Sequence, residues 1–159
     1  MRTIVLFASI GIASGILLVN IYTSIVDVRS WESDVPGSIA AAREYFKASD
    51  PGNFFRIFSP INQLLGLLTL LLFWRSFPPV RLYLGAAFLL YVLGEGLTFT
   101  YFYPRNDILF KTASLSDIEL LKKTVSDWSN VNWIRSLIIL TGIFFSFLSL
   151  HKIYSLRLK

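Results

Sequence analysis

Few residues in this chain can do chemistry inside an apolar setting, and Glu95 is the first of them. It is the only charged residue between Leu82 and Tyr103, in LYLGAAFLLYVLGEGLTFTYFY, and lies between Gly94 and Gly96. A charge at the centre of a bilayer costs about 2.5–3.5 kcal/mol or more, so it persists where it faces protein and has a partner. A carboxylate in such a place can take a proton as a base or accept hydrogen bonds. Asn20, Asn62, Gln63, Asn132 and Arg135 stand in similarly apolar surroundings. Arg135 is the partner of choice, because it can neutralise Glu95 or steady an anion that Glu95 creates. Glu95 and Arg135 are therefore the candidate catalytic pair.

Four apolar runs must position these groups, at approximately 3–26, 55–74, 82–103 and 132–150. Each is close to the roughly 20 residues that a membrane-spanning helix needs. The first follows Arg2 and resembles a signal peptide, but it is too long for a signal core and is read as a retained span. Its Gly11 and Gly15 have the spacing of a close helix-packing pair. Ser59, Asn62, Gly66, Thr69 and Phe73 share one face of the second run, where Pro60 should kink the helix or lie near its first turn. Asn132, Arg135, Ile139, Gly142, Ser146 and Ser149 form a small and polar seam along the fourth, suited to a bundle interior.

The connections are unequal. Between spans two and three lies only a short turn, RSFPPVR, so those helices should be antiparallel neighbours. Residues 27–56 carry a turn at Pro36-Gly37-Ser38, a short helix over 39–48, and a stop at Asp50-Pro51-Gly52, with Pro51 placed to open the next helix. Trp31, Tyr45, Phe46, Phe54 and Phe55 make this segment too aromatic for a plain linker, and it should lie on the membrane surface or fold over the bundle. Residues 104–131 contain Ser116-Asp-Ile-Glu119, capping-box spacing for an amphipathic helix running to Asp127 or Trp128. The expected fold is all-α: one membrane domain, 1–159, an integral membrane four-helix bundle with two amphipathic extracytoplasmic loop helices.

Composition supports this class and removes others. Hydrophobic residues make up 54% of the chain and the mean hydropathy is +0.59. The absence of cysteine excludes disulfides, thiol nucleophiles and iron–sulfur ligation. The single histidine, His151, falls at the far end of span four, so no metal site and no cofactor are expected. No phosphate-binding loop, nucleophile triad or nucleic-acid module is present, and the net charge of +5 reads as topology. Arg2, Arg75, Arg81, Lys152, Arg157 and Lys159 lie on the side of the termini without an acidic residue. On the other side, with Arg135 counted, nine basic residues face nine acidic ones. By the positive-inside rule both termini should be cytoplasmic and the long loops outside, making this a multi-pass protein of the cell membrane.

Counting about 1.5 Å per residue, Asn20, Asn62, Gln63, Glu95, Asn132 and Arg135 all fall in the outer half of their spans. They should meet at one depth. Tyr91 and Phe99, with Phe88, Thr98 and Phe102, share a face with Glu95 and would wall a pocket opening outward. Aromatic walls with a few polar groups suit a hydrophobic aromatic small molecule. The same residues also allow a purely structural network, with Glu95 paired to Arg135 to register the bundle.

The run TYFYPRNDIL, with its Pro-x-Asn-x-x-Leu core from Pro104 to Leu109, is followed after the amphipathic helix by Trp128-x-x-x-Asn132-x-x-Arg135. With four helices in about 150 residues, this resembles the anthrone oxygenase-like membrane family, most sharply over Thr98 to Arg135. The resemblance implies a four-helix membrane protein, with Pro104, Asn106, Trp128, Asn132 and Arg135 as family-type residues. It also implies cofactor-free oxygenation of anthrones to anthraquinones, since some members are associated with that reaction. One departure stands out: histidine has been taken as the base in those oxygenases, and no histidine is near this pocket. The readings to be tested are a membrane oxygenase or binder of aromatic compounds, with Asn20, Asn62, Gln63, Tyr91, Phe99, Asn106, Trp128 and Asn132 contacting the ligand, and a non-enzymatic binding, transport-accessory or scaffolding protein. The partners expected are the lipid bilayer and that small molecule, without nucleic acid; a homo-oligomer stays open, and a carrier built from four helices would need one.

Overall fold

The computed structural model describes residues 2–112 and 115–157. Residues 113–114 of the second loop and Lys159, one of the positive charges counted above, lie outside them. The helices are α1 (Arg2–Tyr22), α2 (Val28–Glu32), α3 (Gly37–Tyr45), α4 (Pro51–Leu72), α5 (Pro78–Leu97), α6 (Tyr103–Phe110) and α7 (Ile118–Arg157). Two π-helical turns, Thr23–Asp27 and Thr98–Phe102, carry α1 into α2 and α5 into α6 without a break. Among the described residues, four stretches are long and apolar enough to cross a membrane: Arg2–Glu32, Pro51–Leu72, Pro78–Phe110 and Ile118–Leu156. The chain is an all-α integral membrane four-helix bundle.

Local chemistry explains the boundaries. α4 begins four residues earlier than the hydropathy suggested, because Asp50 is extended and Pro51 takes the first helical position, where a missing N–H costs nothing. Pro60 sits well inside α4. The expected break between an amphipathic helix and span four is absent. α7 runs unbroken for 40 residues, since neither glycine nor proline lies between Trp128 and Asn132 to stop it.

α1 packs on α4 and α7, and α5 packs on the same two helices, so the bundle closes as a ring with α1 and α5 diagonal. Its membrane core holds Leu6, Ile10, Ala13, Leu84, Tyr91 and Ile139. Tyr91 sets the tightest contact. A Cβ on Gly142 would lie 2.6 Å from its ring, and one on Gly66 would lie 3.5 Å from the ring's other edge. Gly11 and Gly15, expected to pack closely, have no such neighbour within 4 Å. The buried stripe of α1 runs instead through Leu6, Ile10, Ala13, Ile16 and Asn20.

At 1.5 Å per residue the 31-residue Arg2–Glu32 and 33-residue Pro78–Phe110 stretches are about 46 and 50 Å long, against roughly 30 Å of bilayer hydrocarbon. Their excess, with α3 and the first turns of α7, builds a cap at the end opposite the termini. The cap has its own core of Val28, Trp31, Ile39, Phe102, Leu109, Leu121, Val125 and Trp128. Arg43 fastens it: Nε donates to the Leu109 carbonyl at 2.7 Å and Nη1 to that of Thr112 at 2.8 Å, tying α3 to the end of α6.

Candidate functional site

Arg135 stands where bundle and cap meet, 5% exposed. Its Nη2 donates to Asn20 Oδ1 at 2.7 Å and to Asn132 Oδ1 at 2.6 Å, and Nη1 donates to Thr98 Oγ1 at 3.3 Å. The guanidinium carbon lies 4.0 Å from the Phe102 ring centroid and 5.3 Å from that of Phe55. Asn132, fully buried, donates from Nδ2 to the Asn20 carbonyl at 2.9 Å and to Ser24 Oγ at 2.7 Å. Asn20 closes α1, while Ser24 and Thr98 belong to the two π turns, so both widened turns deliver hydroxyls to this layer. Such turns often occur at functional sites.

Below Arg135, toward the membrane centre, is a cavity of about 20 Å³ lined by Asn20, Asn62, Gln63, Tyr91, Glu95, Thr98 and Arg135 among others. Among the described residues, four buried atoms of its lining side chains have no hydrogen-bond partner: Asn20 Nδ2, Arg135 Nε, Asn62 Oδ1 and Gln63 Oε1. Two are donors and two are acceptors. That set complements a single water molecule, and the volume is about what one needs. Gln63 Nε2 donates to the Tyr91 carbonyl at 2.9 Å, and the Tyr91 hydroxyl is 3.2 Å from Ser146 Oγ.

Glu95 borders this cavity, half-buried. Its charge acts on Arg135, yet among the described residues no ion pair or hydrogen bond joins the two. The direct pair expected from sequence does not form, although both residues border the small cavity. The reason is geometric: both terminal nitrogens of Arg135 are drawn toward the cap by Asn20, Asn132 and Thr98.

Above Arg135 a second cavity of about 530 Å³ separates cap from bundle. Trp31, Phe46, Phe55, Phe102, Phe110 and Trp128 form its aromatic wall. Phe55, Thr98 and Arg135 line both cavities and make the partition between them. Asn106 lines the upper cavity and accepts a 2.9 Å bond from Trp128 Nε1, so two residues of the sequence motif hold each other in place.

The candidate residues thus divide. Asn20, Asn62, Gln63, Tyr91 and Glu95 surround the small cavity, Asn106 and Trp128 the large one, and Arg135 both. Asn132 lines neither but positions Arg135. Phe99 lines neither cavity; it is 57% exposed on the outer surface of the bundle, edge-on to Tyr103 at 5.2 Å, which corrects its assignment as a pocket residue. Trp31, Phe46, Arg43 and Arg56 belong to the large cavity without having been singled out as site residues; the aromatic density of residues 27–56 was the only signal for them. Among the described residues no three His, Asp or Glu side chains gather as a metal-ligand set.

A family model described as Anthrone oxygenase matches residues 54–145, more than half of the chain. The match takes in α4, α5, α6 and most of α7, hence Asn62, Gln63, Glu95, Asn106, Trp128, Asn132 and Arg135, but not Asn20, Trp31 or Arg43. Comparison with curated proteins gave no match, and neither did comparison with solved structures.

Proposed function

The chain belongs to the anthrone oxygenase family, and from that premise we propose that its cap cavity takes up a flat, hydrophobic aromatic compound and oxidises it with dioxygen, using no bound cofactor. The observation that carries this reading is the aromatic-walled cavity of about 530 Å³ with Arg135 at its base. Its size falls in the range of roughly 300–1,000 Å³ typical of small-molecule sites. The 20 Å³ space at Glu95 admits no such compound, so the ligand belongs above the partition.

For an anthrone-like substrate the ring methylene loses a proton, and Arg135 holds the resulting anion. Dioxygen takes the carbanion's electrons and bonds to that carbon, and the peroxide anion recovers the proton held by the base, giving a hydroperoxide. Loss of water from the hydroperoxide leaves the quinone carbonyl, so one oxygen atom stays and the other departs as water. Glu95 is assigned as the proton acceptor, reached through Thr98 and the small cavity behind it. By the distribution of Lys and Arg, the cap lies outside the cell membrane and both termini in the cytoplasm.

The test is dioxygen uptake by the purified protein in nanodiscs given an anthrone. Uptake equal to the quinone formed, and reduced at least tenfold in Glu95→Gln, is expected. Uptake no faster than with empty nanodiscs would refute the enzymatic reading. The rival, a non-enzymatic scaffold, is favoured by one observation: Arg135, on α7, ties α1 and the π turn that follows α5 to its own helix through neutral groups alone. It requires Arg135→Met to lose stability while no aromatic ligand binds.

A further inference from the structure

We infer that the compound taken by the cap cavity is an anion, a planar aromatic whose carboxylate or phenolate group is held at Arg135. This rests on the aromatic-ligand reading above and adds the charge. The cap-side segments together with Arg135 contain nine basic and nine acidic residues. Five of the basic ones, Arg43, Lys47, Arg56, Lys111 and Arg135, line the cavity, against two acidic ones, Asp50 and Asp107. The wall therefore carries three more positive charges than negative ones, and the rest of the cap three more negative than positive. Segments that are neutral as a whole have gathered cations onto the cavity wall.

The sorting is not undone by local pairing. Asp107 is spent on Lys111 at 2.7 Å, Asp50 lies 3.9 Å from Arg56, and Lys47 is answered by Glu44 at 3.3 Å, which leaves Arg43 and Arg135 as the wall cations without a carboxylate. Arg43 bonds to carbonyl and hydroxyl oxygens, which leave its charge standing. Arg135 is the decisive group: it is 95% buried, and the oxygens that accept its hydrogen bonds, on Asn20, Thr98 and Asn132, are all neutral. A cation so far out of water favours an anionic acceptor strongly, since charge-assisted bonds strengthen as solvent is removed. Glu95 answers part of that charge from behind the partition, out of contact. The rings of Phe102 and Phe55 against the guanidinium leave a flat apolar approach to it from the cavity.

The test uses the full chain in phosphatidylcholine nanodiscs with anthracene-2-carboxylate and its neutral isostere, anthracene-2-carboxamide. Trp31 and Trp128 line the cavity, so quenching of tryptophan emission, corrected against empty nanodiscs, reports binding. The acid is expected to bind about tenfold to a hundredfold more tightly than the amide. That preference should narrow with added salt. It should also shrink in the double variant Arg56→Gln, Lys111→Gln, which alters exposed side chains only. Equal or tighter binding of the amide overturns the anionic assignment and leaves the aromatic pocket standing. Displacement of the acid by dodecanoate at equal concentration overturns the planar part. Quenching by neither probe removes both the inference and the reading beneath it.

Discussion

Replacing Asn132 by leucine is the sharpest perturbation of the polar layer. The side chain is fully buried and similar in size to leucine, so the change removes hydrogen bonds and little volume. Three bonds go: from Nδ2 to the Asn20 carbonyl and to Ser24 Oγ, and from Arg135 Nη2 to Oδ1 at 2.6 Å. Neutral bonds between membrane helices average about 0.6 kcal/mol, and a bond to a charged group is worth about 1.5–3 kcal/mol. Together they give a loss of about 3–4 kcal/mol. For a chain of this size that is roughly 10 °C in the unfolding midpoint. The assay is thermal unfolding in detergent of wild type, Asn132→Leu, Arg135→Met and the double variant. The double-mutant cycle should return a coupling of about 1.5–3 kcal/mol between the two positions. An Asn132→Leu protein within a degree of wild type, or a coupling near zero, would refute the reasoning.

Three further outcomes follow from the same geometry. Gly142→Ala sets a methyl 2.6 Å from the Tyr91 ring and should lower the unfolding midpoint by several degrees, whereas Gly11→Ala meets nothing within 4 Å and should leave it unchanged or higher. A structure that resolves ordered water is expected to show one molecule bound to Asn20 Nδ2, Asn62 Oδ1 and Arg135 Nε in wild type, displaced in Asn62→Leu; the absence of that water from wild type contradicts the one-water reading of the small cavity. Arg43→Met removes the bonds from α3 to the end of α6, so amide hydrogen exchange across α3 should quicken severalfold while α4 and α5 stay protected.

Much of this architecture is written in local pattern. The faces Ser59-Asn62-Gly66-Thr69 on α4 and Asn132-Arg135-Ile139-Gly142 on α7 are the buried faces, because small and polar residues at three- and four-residue spacing have no reason to meet lipid. The depth count put Asn20, Asn62, Gln63, Glu95, Asn132 and Arg135 at one level, and all of them except Asn132 border one small cavity. Phe99 shows where such counting ends. Positions three and four after Glu95 both qualify for its face, but the widened turn that starts at Thr98 keeps Thr98 and Phe102 inside and turns Phe99 out. The large cavity left only the aromatic density of residues 27–56 as a local trace, since it arises when α3 and α6 close over the bundle. Likewise the partners of Arg135 were decided by tertiary placement, with the neutral Asn20 and Asn132 in contact and the Glu95 carboxylate out of contact across the small cavity.

The central claim is that the aromatic ligand sits above Arg135 and not beside Glu95. A structure determined with anthraquinone, the product-like compound, tests it most directly. The account predicts planar density between the aromatic walls of the cap cavity, with one carbonyl oxygen within hydrogen-bond distance of Arg135 or Thr98. Density confined to the lipid-facing surface, or a cap cavity that stays unoccupied at saturating anthraquinone, would contradict it.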